Sequence, residues 1–341
     1  MKKLKPLLIA ALLIPVIAGC GGTGAASAGG GAKTVTVYTA DGLADWYKTR
    51  FEAFTAKTGI KVQTVEAGSG EVVSRLAKEQ SNPQADVVVT LPPFIQKASK
   101  DGLLQKYAVP GSEHVTSVKS DDYVAVANNY LCFIANKQAG TPKSFEELLD
   151  PRFKGKLQYS TPGQAGDGTA VLILLQHLMG KQGALDYLRK LETNNVGPSA
   201  STGKLQPKVS KGELLVANGD VQMNLSSISV DKSAFGIFFP AGPDGKKTTI
   251  ALPYVMGLAT GAPNSDGGKQ LMDYLLTTEA QQTLTSDAFG LPARTDVKPT
   301  DANFQAVQQS MTGVEAWSPD WNAVLTDLDA DVAAYTKAIQ G

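Results

Sequence analysis

The chain has 341 residues, with 32 lysines and arginines against 32 aspartates and glutamates and 43% apolar residues. That apolar content builds cores and is not the composition of a disordered chain. The even charge gives no basic excess for nucleic acid, and two cysteines make no disulfide framework.

The chain opens MKKLKPLLIAALLIPVIAGC, in which Lys2, Lys3 and Lys5 precede an apolar run closing on Ala18, Gly19 and Cys20. This is the three-part form of a secretory signal, too short and wrongly flanked for a membrane span. Ile17-Ala18-Gly19-Cys20 resembles a bacterial lipobox, which implies a lipoprotein signal peptide over 1–19, cleavage before Cys20 and acylation of its thiol. Such a lipid anchors a protein to a membrane surface outside the cytoplasm without spanning it. Residues 20–32 are a Gly/Ala/Ser tract that buries no apolar area and reads as a flexible tether. Removing 1–19 takes three of the 32 basic residues and leaves 29 against 32 acidic, so the mature chain is slightly negative. The folded part from Lys33 is roughly 300 residues, a length suited to two lobes.

From there strands alternate with amphipathic helices. TVTVYTA (34–40) is β-branched and alternating, and LADWYKTRFEAFTAKTG (43–59) places Leu43, Trp46, Tyr47, Phe51 and Phe54 at helical spacing before Gly59. Strands over 61–67 and 85–91 and helices over 69–80 and 92–102 continue a pattern that predicts an α/β fold with parallel sheets. DYVAVANNYLCFIANK (122–137) is a long extended run with Asn128-Asn129 at its middle, the form of a crossing between lobes. Cys132 within it has apolar neighbours and reads as a buried, inert thiol. Ser144 with Glu147 is a capping box; 155–161 reads as a strand, 166–180 as a buried helix and 183–194 as its amphipathic neighbour. Further strands are predicted over 221–227 and 247–259, the second a return crossing, and helices over 266–277 and 279–287, the latter capped by Thr278 with Gln281. In 301–341, Trp317, Trp321, Leu325, Leu328, Val332 and Tyr335 are spaced for helices packed on the lobes.

Five predicted strand exits, VYTADG, EAGSGE, VVTLPP, YSTPGQAGDGT and NLSSIS, are rich in Ser, Thr and Gly. In open α/β sheets ligands bind outside the carboxyl ends of the strands, where helix N-termini present N–H groups and the positive end of the dipole. An anion with several oxygens suits such loops. No P-loop, dinucleotide fingerprint or Gly-x-Ser-x-Gly elbow is present, and no His/Cys cluster has metal spacing. His114 and His177 are far apart, and His177 in LILLQHLMG reads as a satisfied core residue. A binding protein is therefore expected, not an enzyme, with no cofactor and no metal. A surface ester hydrolase seeded by Ser69 with Glu71 is the distant alternative.

YTADGLADWY (38–47), VEAGSGEVVSRLAKE (65–79), NPQADVVVTLPPFIQ (82–96) and YSTPGQAGDGT (159–169), with the lipobox, resemble the solute-binding lipoproteins of ABC importers, and among these the 2-aminoethylphosphonate-binding proteins. The resemblance implies the two-lobed periplasmic-binding type II fold, each lobe a mostly parallel sheet flanked by helices, joined by a hinge. Residues 33–128 and about 255–300 would form lobe 1, and 129–254 lobe 2. It implies a monomer that delivers its ligand to an ABC permease and ATPase. The alternative is an iron(III)- or other small-anion-binding protein of the same fold; the iron branch usually uses paired tyrosines, and NLSSISVDKSAFG, which has none, counts against iron. The phosphonate would be met by Ser69, Gly70, Ser160, Thr161, Gly168, Thr169, Ser226 and Ser227, with Thr39 and Thr90 from neighbouring exits. The ammonium needs an acceptor: Asp41 first, then Glu71 and Asp167, with Tyr254 offering a ring or a hydroxyl.

Overall fold

The computed structural model describes residues 34–340; the leader, Cys20 and the tether lie outside the described residues. Strand β1 (Thr34–Ala40), whose last four residues are buried, pairs in parallel with β2 (Lys61–Ala67) on one side and with the fully buried β3 (Val87–Thr90) on the other. Each is followed by a helix: α1 (Ala44–Thr58), α2 (Ser69–Lys78) and α3 (Phe94–Lys100). Helix α1 buries Trp46, Tyr47, Phe51 and Phe54 and ends at Gly59, whose φ of 76° makes the left-handed closing turn.

After β4 (Leu104–Gln105), the run over 122–137 is two strands, β5 (Tyr123–Asn128) and β6 (Leu131–Asn136), which belong to different sheets. The chain thus passes from the first sheet to the second at Asn129 and Tyr130. The second sheet collects β7 (Leu157–Gln158), β8 (Val216–Asp220) and β9 (Phe235–Phe238) in the order β7-β8-β6-β9. With it go α4 (Gly166–Glu192), α5 (Gln206–Ser210) and α6 (Val221–Ser229). Helix α4 joins both predicted helices across Gly180, whose φ of 73° and ψ of 164° are non-helical.

The predicted strand over 247–259 is two strands, β10 (Lys247–Ile250) and β11 (Tyr254–Ala259), because Pro253 has no N–H to continue a ladder. β11 re-enters the first sheet, whose order is β12-β5-β11-β3-β1-β2 once β12 (Leu291–Pro292) is added, with β4 also pairing β11. Helices α7 (Ser265–Leu275), α8 (Thr278–Gln281) and α9 (Leu284–Ala288) cover that lobe; α8 is capped by Thr277, not Thr278, through the Ala280 N–H at 3.2 Å. The chain ends with α10 (Ala302–Ser310), β13 (Val314–Trp317) parallel to β10, and α11 (Trp321–Gln340).

Four further expectations are corrected. The sheets are mixed, not mostly parallel: β11 is antiparallel to β3, β4 and β5, and β6 to β8 and β9. Strands that arrive by crossing between lobes lack the helical crossover that parallel pairing requires. Residues 221–227 are helix, not strand, since the Asp220 side chain accepts the Met223 N–H at 2.7 Å and caps α6. The run 155–161 keeps only Leu157–Gln158 as strand. His177 is exposed, not core, and stacks on Trp317 at 3.9 Å between ring centres.

Candidate ligand-binding site

At the exit of β2, helix α2 starts with no side-chain cap, and Gly68, Ser69 and Gly70 are all buried. The reason is a close approach to the second lobe. The Gly70 N–H donates to the Gln164 carbonyl at 2.8 Å, and a methyl group on Gly68 would overlap the Ala200 carbonyl oxygen. A Cβ on Gly166 would stand 2.6 Å from Ser69 Oγ. Two uncapped helix N-termini, of α2 and α4, therefore meet across the cleft.

The exit of β1 turns through Gly42 and Leu43, at φ of 112° and 59°. It delivers Asp41, whose Oδ2 accepts hydrogen bonds from Ser201 Oγ at 2.6 Å and the Gly203 N–H at 3.2 Å, both from the second lobe. A side chain on Gly42 would strike the Tyr254 hydroxyl. Thr39 and Thr90 are buried and organise their own loops: Thr39 Oγ1 donates to the Ala40 carbonyl at 3.0 Å, Thr90 Oγ1 to the Ser69 carbonyl at 3.2 Å.

From the second lobe, Ser160 donates its N–H to Asn218 Oδ1 at 2.8 Å, and its Oγ accepts from Asn218 Nδ2 and Thr202 Oγ1, each at 3.0 Å. Thr161 Oγ1 accepts the Ser199 N–H at 2.9 Å, and Gly168 lies against the Ser160 carbonyl where no side chain would fit. Thr169 Oγ1 is committed to its helix, donating to the Ala165 carbonyl at 2.8 Å.

Three carboxyl groups act on one another at the centre. Asp167, in the first turn of α4, is 4% exposed, and its Oδ1 has no hydrogen-bond partner. Asp220 is fully buried; its Oδ2 accepts from the Tyr254 hydroxyl at 3.2 Å. Burial first, then the charges of Asp220 and Asp41, hold the Asp167 carboxyl well above its ordinary range. Burial pushes Asp220 up to about 6, although Asn129, the Met223 N–H and Tyr254 pull the other way. Glu66 is raised by burial and by the Asp41 charge. None of the salt bridges among the described residues involves Asp41, Asp167 or Asp220. Tyr47 Oη, on a residue acting on Tyr254, is another buried polar atom without a partner. Buried polar atoms are normally bonded, so the unpartnered Asp167 Oδ1 and Tyr47 Oη stand out among the groups that act on Tyr254.

Sequence reasoning thus named Asp41, Asp167 and Tyr254, which the fold brings together, and missed Asp220, Asn129, Ser201 and Thr202. Asp220 followed by an apolar run is a readable helix cap, hidden by the strand assigned over it. Ser226 and Ser227 lie late in α6, not at a strand exit: Ser226 Oγ donates to Asp45 Oδ2 at 3.1 Å and Ser227 Oγ is 2.7 Å from Ser233 Oγ. Glu71 is exposed. No cluster of three or more His, Cys, Asp or Glu side chains suited to a metal ion occurs among the described residues.

A family profile described as bacterial extracellular solute-binding protein matches residues 35–290. The chain belongs to the bacterial extracellular solute-binding proteins. This solute-binding protein is 47% identical, over 90% of its length and 93% of the relative's, to a Salmonella paratyphi A protein named "Putative 2-aminoethylphosphonate-binding periplasmic protein". Its fold is shared with the periplasmic binding protein P5PA (TM-score 0.77, 20% identity, 90% of this chain and 99% of that one). It is shared too with a ferric binding protein from Campylobacter jejuni (TM-score 0.72, 22% identity, 89% and 99%). The two-lobed α/β architecture is that of periplasmic binding proteins, and these relatives are binders, not enzymes. The protein is extracytoplasmic, and no described helix is long and apolar enough to cross a membrane.

Proposed function

We propose that this protein captures 2-aminoethylphosphonate between its lobes and delivers it to an ABC permease powered by its ATPase, tethered to the membrane through a lipid on Cys20. One observation carries the reading: Asp167 is buried with an unpartnered oxygen, in a cluster of acids lacking a salt-bridge cation, between two uncapped helix N-termini. A zwitterion answers both halves. Its ammonium neutralises acids that burial otherwise holds protonated. Its phosphonate accepts from first-turn N–H groups of α2 and α4 other than that of Gly70, which is given to Gln164, and from the hydroxyls of Ser69 and Ser160. Hinge bending at the two crossings, Asn129-Tyr130 and Ala251 to Pro253, would open the cleft, and the ligand would favour the closed form by bridging the lobes.

Calorimetry on residues 33–341 tests this with 2-aminoethylphosphonate against ethylphosphonate, phosphate and iron(III). Tight one-to-one binding is expected, weakened at least about 100-fold for ethylphosphonate, which lacks the amine. Heat with iron(III) or phosphate and none with 2-aminoethylphosphonate refutes it.

A further inference from the structure

We propose that Asp220, with Asp167 facing it, is the residue that selects for the ligand's amine, and that Asp41 instead acts as the latch between the lobes. This rests on the capture of a zwitterion proposed above.

The three carboxyl groups differ in what their oxygens are doing. Asp41 Oδ2 is occupied by Ser201 Oγ and the Gly203 N–H from the opposite lobe, so its strongest bonds report closure. Asp220 is fixed from three sides. Its Oδ1 accepts the Met223 N–H at 2.7 Å, its Oδ2 accepts from Tyr254 Oη at 3.2 Å, and the Asn129 side chain acts on it as a hydrogen-bond donor. A carboxylate held in this way cannot swing out to solvent. It sits at the N-cap of α6, as Asp167 sits in the first turn of α4, so both helix dipoles favour the charged form that burial disfavours. Two buried acids acting on each other, one of them with an unpartnered oxygen, form an incomplete arrangement that a cation completes.

The groups that act on this pair through charge come from several elements, Asp41 after β1, Cys132 on β6 and Tyr254 on β11, with Tyr47 on α1 acting on Tyr254. All are acids or neutral hydroxyl and thiol groups. A neutral or anionic tail gains nothing from such a lining. A primary ammonium has three donors for Asp167 Oδ1, Asp220 Oδ2 and one hydroxyl.

The test is calorimetric titration of the wild type, Asp220→Asn, Asp167→Asn and Asp41→Asn with 2-aminoethylphosphonate and ethylphosphonate. Asn at 220 still accepts the Met223 N–H, so the α6 cap survives. Asp220→Asn and Asp167→Asn should each weaken 2-aminoethylphosphonate at least about 30-fold and leave ethylphosphonate unchanged or tighter, collapsing the ratio. Asp41→Asn should weaken both ligands together. Below pH 6 the affinity of the wild type for 2-aminoethylphosphonate should fall more than that of Asp220→Asn, the two curves sharing the ligand's own titration, so the difference between them reports Asp220. If the wild type binds 2-aminoethylphosphonate and Asp220→Asn keeps the ratio, the assignment is overturned while the ligand stands; if the wild type binds only ethylphosphonate or neither, both fall. Should Asp220→Asn fail to fold by circular dichroism, Asp167→Asn carries the test, and an unchanged ratio there overturns the assignment equally.

Discussion

Gly68→Ala separates closure from folding. The backbone at Gly68, φ −63° and ψ 151°, suits any residue, so alanine adds no local strain. Its methyl group would overlap the Ala200 carbonyl oxygen and stand 3.2 Å from the Gln164 carbonyl oxygen, both across the cleft. The first clash leaves the new carbon more than about 1 Å short of ordinary contact, against backbone that cannot rotate aside. Forced overpacking of this kind costs about 1–3 kcal/mol, here only in the closed form, because the open form separates the two surfaces. Affinity for 2-aminoethylphosphonate should therefore fall about 5- to 150-fold. The unfolding free energy of the opened lobes should stay level or rise by up to about 1 kcal/mol, since alanine restricts the unfolded chain. Calorimetry reads the affinity, and small-angle scattering with saturating ligand reads the closure. An affinity within twofold of wild type, with full compaction on ligand, would show that the small residues at the start of α2 are not there for the approach of the lobes.

Stability should depend on pH with a definite sign. Asp220 is raised from 3.8 to about 6, so the empty folded protein binds more protons than the unfolded chain in that interval, and this contribution is complete below about pH 4 and lost as pH rises through 6. For Asp220 alone the loss approaches about 3 kcal/mol. Denaturant titrations of wild type and Asp220→Asn should diverge by that amount between pH 4 and 7, and parallel curves reject the reading. Cys132 is 1% exposed with its thiol pushed up by burial, so a thiol reagent should modify the folded protein no faster than it unfolds, and prompt reaction would contradict the packing. Ser226→Ala removes one exposed bond to Asp45 and should change ligand affinity less than about threefold, despite the residue's prominence in the sequence.

Residues in sequence order were enough to read the early elements, because β1, α1, β2, α2 and β3 each satisfy one periodicity and one set of end signals. Where two periods fitted, as over 221–227, the local pattern misled, and the decision lay with a single capping bond from Asp220. Strand direction was equally hidden. Whether β11 runs with or against β3 depends on the path the chain takes between lobes, and no feature within YVMGLA reports that path.

The composition of the loops by itself led to the expectation of a binding protein for a small anion: small and hydroxyl-bearing residues at the strand exits, and no motif carrying a nucleophile with its base. Only the tertiary structure decided which groups share the cleft. Asp41, Asp167, Asp220 and Tyr254 come from four separate stretches of chain, and burial of one acid beside another, the effect that gives the site its character, exists only once two lobes enclose them.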